Sequence, residues 1–406
     1  MSAPYYLTEE FCQKNGLKGA TRLAEEFPDA SKSAWRARRG DMHLAYPDLV
    51  PKLDRQGRPV GSLSETPDSS CPLDSEELLR CLKEPTNVVD LANHFDCSPA
   101  RVERALEWLK EKHLLVADTA AGITLASTMQ PTREVHPIDT SQFASQEFCF
   151  GITADSHNGS KYERVDVQND LADRWVAQGV SRVFVAGNWI DGSGRKFNQH
   201  DIYVHGVDEQ IANYIEKLPQ RDGLEWDVLS GDDHEGWFVQ DAHINIGHVL
   251  EAEAKLAGRD DIHDIGYMER DIELVQPEGS ARLRIAHMGG GSAYALSYSM
   301  QKYAESLQGG EKPQIVVGGH YHKWDYNYAR EMHLIQPGCT QDQTPFMRKR
   351  KLQAMVGGAT LWITQNELGI ITSCKVEWMP YYDQKFYAYR WKKPESCPET
   401  ELGVES

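Results

Sequence analysis

Aspartate and histidine recur together at the ends of short apolar runs in the second half of this 406-residue chain. The run 148–154 leads straight into Asp155, Ser156 and His157. Asp155 and His157 stand two apart, so an extended backbone turns both to one side, where they can grip a single ion. Four more clusters follow: Gly187, Asn188 and Asp191; Asp232, Asp233, His234 and Glu235 after Gly231; His287 ahead of three glycines; and His320 and His322 after Gly318 and Gly319. Imidazole with carboxylate suits borderline divalent ions such as Mn, Fe or Zn, whereas all-oxygen sets suit Mg or Ca. Glycine beside a cluster lets the backbone turn sharply and leaves room for an approaching phosphate. One Asp-x-His arises easily by chance; an ordered series of such clusters, each closing an apolar run, does not, and it predicts a binuclear metal site. His200, His205, His243, His248, His263 and His333 fall outside the pattern and read as surface or hydrogen-bonded histidines.

The order Asp-x-His, Gly-Asn, Gly-Asp-Asp-His-Glu, His, Gly-His-x-His resembles the calcineurin-like metallophosphoesterases, the superfamily that includes DNA repair exonucleases. The likeness spans about residues 148–385, and the string from Gly318 to Lys323 is its most specific part. The Pro337-Gly338 turn within 335–341 is a further match. The resemblance implies two divalent ions, manganese foremost, with Fe, Zn, Mg or Ni as alternatives. By matching motif it puts Asp155, His157 and His322 on one ion and Asp233, His287 and His320 on the other. Asn188 falls between them, and His234 stands beside the scissile phosphate to help the leaving oxygen.

Two positions depart from that pattern. The family's second motif reads Gly-Asp, here Gly187-Asn188; its third reads Gly-Asn-His-Glu, and here Asp233 replaces the amide. Asparagine offers one carbonyl oxygen and no charge, so it bridges two cations poorly. The charge missing at 188 returns at 233, which keeps the site total, and Asp233 or Asp232 is then expected to supply the bridge. The rival expectation is that Asn188 leaves one ion or none.

On this reading, water activated by the ions attacks phosphorus in line with the departing oxygen, while positive charge offsets that building on the equatorial oxygens. His234, kept cationic by acid at 233, protonates the departing oxygen. Asn158, Tyr321 and Lys323 are candidate substrate contacts. The string Arg348, Lys349, Arg350 and Lys351 either tracks phosphates or forms a solvated turn. One scaffold of this kind serves nucleic acids, nucleotides, phosphoproteins and lipids. Helix-turn-helix-like segments ahead of it point to DNA as partner, for a nuclease or an end-processing enzyme. A small-nucleotide phosphodiesterase or phosphatase is the alternative, and a non-catalytic DNA- or protein-binding scaffold with a degenerate metal site is a third reading.

Such clusters need strands that all end at one edge. Apolar runs at 148–154, 182–186, 226–230, 283–287 and 315–318 read as buried strands, with helical segments at 168–178, 210–217 and 293–307 between them and further strands at 359–364 and 370–378. The prediction is an α/β layered metallophosphoesterase fold, two packed mixed sheets flanked by helices, over 148–389. Ahead of it, 1–47 reads as a helix-turn-helix-like unit. A helix over 19–27 and a turn at Pro28-Asp29 precede a second helix, capped by Ser31 and stopping at Gly40, whose Lys32, Arg36, Arg38 and Arg39 are candidate nucleic-acid contacts. A proline-rich linker at 48–73 leads to a winged-helix-like domain at 74–127, three helices and a hairpin. The third of these helices mixes Arg101, Arg104 and Lys110 with Glu103, Glu107 and Glu111, which weakens a DNA role for it. Residues 128–147 read as a connector and 390–406 as a polar tail.

A net charge of −18 argues against a protein that coats nucleic acid over its whole surface, while leaving a local patch or metal ions open. Apolar and charged fractions of 40% and 26% are ordinary for a soluble globular chain. There is no apolar run of about 18 residues, so no membrane partner is expected. The first residues lack the pattern of a secretory leader, and the eight cysteines show no CxxC spacing, so a reduced, cytoplasmic, nucleic-acid-associated protein is expected.

Overall fold

A computed structural model describes residues 71–193, 199–291 and 293–381, together with 11, 12, 14, 23, 26–28 and the helix at 32–45. The chain divides into two compact units, 1–127 and 128–406. The helix expected over 19–27, the Ser31 cap expected for the second helix, most of the linker and the C-terminal tail lie outside the described residues, apart from isolated positions.

In the first unit, helix α1 (Lys32–Ala45) does not stop at Gly40. It continues far enough to bury Asp41 and Met42. Burying a methionine is worth about 1.5–3 kcal/mol, more than the roughly 1 kcal/mol a glycine costs inside a helix. Helices α2 (Ser75–Cys81), α3 (Val88–His94) and α4 (Pro99–Glu111) each begin at a side-chain cap: Asp74, Asn87 and Ser98 accept from the backbone N–H three residues on. Their apolar faces, Leu78, Leu91, Val102, Ala105 and Leu109 among them, share one buried cluster. Strands β1 (Val116–Thr119) and β2 (Gly122–Leu125) close this unit as an antiparallel hairpin.

The second unit is two packed six-stranded mixed sheets flanked by helices. In chain order its elements are β3 (Val135–Asp139), β4 (Glu147–Thr153), α5 (Val165–Ala177), β5 (Arg182–Ala186), α6 (Val207–Lys217) and β6 (Glu225–Ser230). Then come α7 (Glu235–Ala242), α8 (Ile246–Leu256), β7 (Ile262–Tyr267), β8 (Glu269–Gln276), β9 (Gly279–His287) and α9 (Tyr298–Ser306). The series ends with β10 (Ile315–Gly319), β11 (Trp324–Ala329), β12 (Met332–Pro337), α10 (Pro345–Arg350), β13 (Gly357–Gln365) and β14 (Ile371–Pro380). One sheet runs β14-β13-β4-β5-β6-β7, with β4 to β7 parallel; the other runs β11-β12-β10-β9-β8-β3, with β9, β10 and β12 parallel. Ile152, Phe184 and Leu229 from the first meet Ile272, Ile285 and Val317 from the second in one dry core. Because helices cover the outer faces, β4, β5 and β10 are apolar without alternation and stand out as continuous runs, whereas β6 and β9 carry the buried charges Asp227 and Arg284.

Two segments differ from expectation. The stretch read as a connector contains β3, which pairs in parallel with β8 at a sheet edge. Its Pro137 signals a linker by composition, yet an edge strand tolerates proline because one side of its backbone needs no partner. The helix expected over 293–307 begins only at Tyr298. The carbonyls ahead of it are taken by side chains instead: Gly289 by Tyr321, Gly290 by His320, Ala293 by Lys323 and Leu296 by Gln336.

Candidate metal centre

The five predicted strands bring their C-terminal ends together. Within the first sheet, the Asp155 N–H donates to the Gly187 carbonyl and the His157 N–H to the Asn188 carbonyl, each at 2.9 Å. Across the sheets, the His320 N–H donates to Asp155 Oδ2 at 2.8 Å, and His287 Nδ1 donates to the Ala186 carbonyl at 2.8 Å. Six side chains at this edge sit on left-handed backbone: Asp155, His157, Asn188, His234, His320 and His322, with φ between 47° and 95°. Each such residue costs of order 1–3 kcal/mol, and strain of this kind gathers where geometry serves function. Gly187 itself has φ +83°, and a Cβ there would stand 2.2 Å from His287 Nδ1, so only glycine lets the two loops close on this histidine.

The side chains form two clusters with no residue in common, each of one aspartate and two histidines whose ligand atoms lie within 4.8 Å of one another; a third such group, His157, Asp191 and His234, shares His157 with the first. In the first, Asp155 Oδ1 is 3.9 Å from His157 Nε2 and 3.7 Å from His322 Nε2, and the two Nε2 atoms are 3.1 Å apart. In the second, Asp233 Oδ1 is 3.2 Å from His287 Nε2, and its Oδ2 is 3.3 Å from His320 Nδ1. The hydrogen bonds behind the rings decide which nitrogen faces inward. His157 donates Nδ1 to Asp191 at 3.1 Å, His287 donates Nδ1 to Ala186, and His320 donates Nε2 to Gly290 at 2.9 Å. Once deprotonated, each ring turns a lone pair towards the carboxylates, which is how outer partners fix metal-ligating histidines.

Asp155 Oδ1, Asn188 Oδ1 and His320 Nδ1 are buried with no hydrogen-bond partner. Lone pairs and carboxylate oxygens converging without donors call for positive charge between them, and the residues fit divalent ions. Proton titration points the same way. Burial works against a charged His287, but Asp233 outweighs it and raises the imidazole to about 10. Burial also opposes ionisation of Asp233, yet His287 and His320 hold it well below the usual carboxylate range. In the first cluster burial dominates, lowering His157 and taking His322 down to about 3, so both stay neutral and able to ligate.

His234 stands beside the clusters, edge-on to His157 and stacked on Trp237. Its Nδ1 donates to the Asp191 carbonyl at 2.9 Å and lies 3.3 Å from Asp191 Oδ1, leaving Nε2 to serve a substrate. Burial alone would lower it; the Asp191 hydrogen bond and the Asp233 charge win and raise it to about 9. Asp191 was visible in the sequence only as one more acid after β5. Here it orients His157 and His234 together, and burial fails to keep its carboxyl from falling below the ordinary range. Glu235 is also new: its buried Oε1 accepts from the Asn188 N–H at 2.9 Å and the Gly231 N–H at 2.7 Å, tying the loops after β5 and β6. Burial raises this carboxyl to about 7.

The remaining predicted residues scatter. His157, Asn188, Asp233, His234, His320, Tyr321, His322 and Arg350 line one cavity of about 560 Å³. Asn158 and Lys323, expected as substrate contacts, are buried behind it: Asn158 accepts from Gln168, and Lys323 props the 289–296 loop through Ala293. Both oxygens of Asp233 face its own two histidines, and Asp232 belongs to neither cluster. Arg348 and Lys349 are exposed on α10 and are not part of the cavity wall. On α1, Arg38 lies over the Trp35 ring and Arg39 is partly buried, while the side chains of Lys32 and Arg36 lie outside the described residues. Among the described residues no helix is long and apolar enough to cross a membrane.

No protein-family model and no curated protein matches the sequence. Solved structures do. An archaeal phosphodiesterase is 11% identical, covering 57% of this chain and 100% of its own, with a TM-score of 0.32. The phosphoesterase Yfce from E. coli is 12% identical, covering 56% and 98%, at 0.30. Vps29 from Entamoeba histolytica, in complex with zinc, is 13% identical, covering 57% and 99%, at 0.27. Identities and scores this low leave the chemistry to be read from the side chains themselves.

Proposed function

We propose that this protein is a metal-dependent phosphoesterase. The observation that carries the reading is the pair of Asp-His-His clusters opening on one cavity with a cationic histidine on its wall. Asp155, His157 and His322 would hold one divalent ion and Asp233, His287 and His320 the other, with the orphaned Asn188 Oδ1 as a further neutral ligand. Such ions supply positive charge to phosphate oxygens and acidify water. The chain does the rest. Asp191 holds His157 and His234 in fixed tautomers, so His234 Nε2 carries a proton at neutral pH and can deliver it to the departing oxygen. Glu235 keeps the Asn188 and Asp233 loops in register through their backbone amides. Manganese is the expected metal.

The test is release of p-nitrophenol from bis(p-nitrophenyl) phosphate by the manganese-loaded protein, together with metal analysis. Two ions per chain and turnover that disappears in His320→Ala support the proposal. A protein that carries no divalent ion, or that releases no p-nitrophenol from either this diester or p-nitrophenyl phosphate with Mn, Fe, Zn, Mg or Ni, refutes it.

A further inference from the structure

Part of the cavity wall is built from α10 and the residues around it. Arg164 has no exposure, pairs with Asp166 through two nitrogens and reaches Asp342 at 2.8 Å, anchoring the chain just before the helix. Thr344 caps α10 by accepting from the Met347 N–H, Pro345 opens it, and Met347 is buried beneath it. Gln343 Nε2 then donates to the Leu352 carbonyl at 2.7 Å, clamping the two ends of the turn together. This short helix is thus fixed from both sides. Phe346 and Arg350, one helical turn apart, share the face that lines the cavity, with the guanidinium carbon 5.7 Å from the ring centroid.

Three observations narrow what this wall can receive. A cavity of about 560 Å³ lies in the range of roughly 300–1,000 Å³ typical of small-molecule sites. Among the described residues Arg350 is its only lysine or arginine, whereas Asp191, Asp201 and Asp233 also line it. A duplex tracked along its backbone is held by several cations, about 6–10 phosphate contacts in a typical site. One arginine beside one aromatic ring instead matches a compact ligand with a planar group and a single anionic group beyond the phosphate that reacts.

We propose, building on the phosphoesterase reading, that the substrate class is a small nucleotide with two linked phosphates. Its base lies on Phe346, its inner phosphate pairs with Arg350, and its terminal phosphate enters the histidine clusters. In the reaction the bond between the terminal phosphorus and the bridging oxygen breaks and the oxygen of water bonds to phosphorus. The bridging oxygen leaves with the nucleoside monophosphate, so a nucleoside diphosphate and water give a nucleoside monophosphate and inorganic phosphate.

The experiment compares adenosine diphosphate with p-nitrophenyl phosphate, which lacks the second anion, on the manganese-loaded full chain and its Phe346→Ala, Arg350→Ala and Arg350→Lys variants. A hydrogen-bonded charge is worth roughly a 10- to 100-fold change. The expected result is a fall of about that size in kcat/KM for the diphosphate in Arg350→Ala, lying mainly in KM. This fall should exceed the one seen with p-nitrophenyl phosphate at least about tenfold, with part of it recovered in Arg350→Lys. Phe346→Ala should cost the diphosphate about tenfold by loss of stacking. Equal losses on both substrates, or single- or double-stranded oligonucleotides cleaved in preference to the diphosphate, overturn the substrate class while leaving the phosphoesterase reading standing. Absence of turnover on every ester overturns the reading beneath it as well.

Discussion

Asp233→Asn is the most informative single change, because it removes the charge that distinguishes the second cluster and alters almost nothing in shape. The carboxylate stands 3.2 Å from His287 Nε2 and 3.3 Å from His320 Nδ1, and its side chain is 28% exposed, so water screens it only partly. Breaking a buried charged pair costs about 3–5 kcal/mol, and at about 1.4 kcal/mol per decade this weakens the second ion roughly 10²- to 10⁴-fold. The first cluster keeps its own carboxylate, Asp155, and should keep its ion. Metal analysis of dialysed protein, with chelator competition to rank the two ions, should show two per chain falling to one. Asn188→Asp, which adds an acid without removing one, should leave the count at two.

Proton linkage gives the same variant a second readout. His287 is raised to about 10 in the folded metal-free protein, so its share of stability is fully present below its unfolded value of about 6.5 and is lost as pH climbs towards 10. Asp233 is depressed, so its share is present above about 3.9 and lost as pH falls. The metal-free melting temperature should therefore decline from neutral pH upwards in the parent and lose that slope in Asp233→Asn. Loading the site at neutral pH must displace the His287 proton, so metal affinity should rise with pH up to about 10 in the parent and less steeply in the variant. Retention of both ions with affinities within about threefold of the parent would refute the assignment of Asp233 as a ligand.

Three further outcomes follow from the same geometry. His234→Gln should lower kcat by about 10²- to 10⁴-fold with metal content unchanged; because the imidazolium is held to about 9, parent activity should fall as pH rises past that value, and the variant should lose this limb of the profile. Gly187→Ala places a Cβ 2.2 Å from His287 Nδ1 on backbone at φ +83°, so it should lower the melting temperature and release metal together; a fully loaded, equally stable variant would contradict the close packing of that loop against His287. In the first unit, burial raises Asp41 from 3.8 to about 6, so the stability of that unit should fall between about pH 4 and 6 by at most about 3 kcal/mol. Asp41→Asn should abolish that slope in denaturant unfolding followed from pH 3 to 8.

The parts of this molecule that sequence revealed share a physical cause. Strands covered on both faces need not alternate, so β4, β5 and β10 appear as apolar runs, β6 and β9 as runs interrupted by the charged residues Asp227 and Arg284, and the polar residue that ends each run lies at the rim. Asp155, His157, His287, His320 and His322 were legible for that reason. Strands β3, β8 and β11 were not: they lie at or near sheet edges with partly exposed faces, and their mixed composition resembles loop. Capping acts between neighbours in sequence, as at Asp74 and Ser98, each of which accepts from the backbone N–H three residues on.

What stayed hidden was every role set by a contact between distant strands. Asp191 is simply an acid until His157 and His234 close on it from 34 and 43 residues away. Lys323 sits in the most distinctive string of the chain, and that placement suggested a substrate contact. Its ammonium is instead consumed by the Ala293 carbonyl, because a buried lysine must find an acceptor and the nearest one belongs to a loop that failed to become helix. The basic string at 348–351 shows the same limit in reverse. Composition treats its four cations as equivalent, but Lys351 falls just beyond the six-residue helix, and of the four only Arg350, set over the Phe346 ring, lines the cavity. Charge counted along a sequence therefore overstates what a site can use. The number that matters for recognition is the number of cations on the wall, and the proposed preference for a small ligand over a polymer rests on that number.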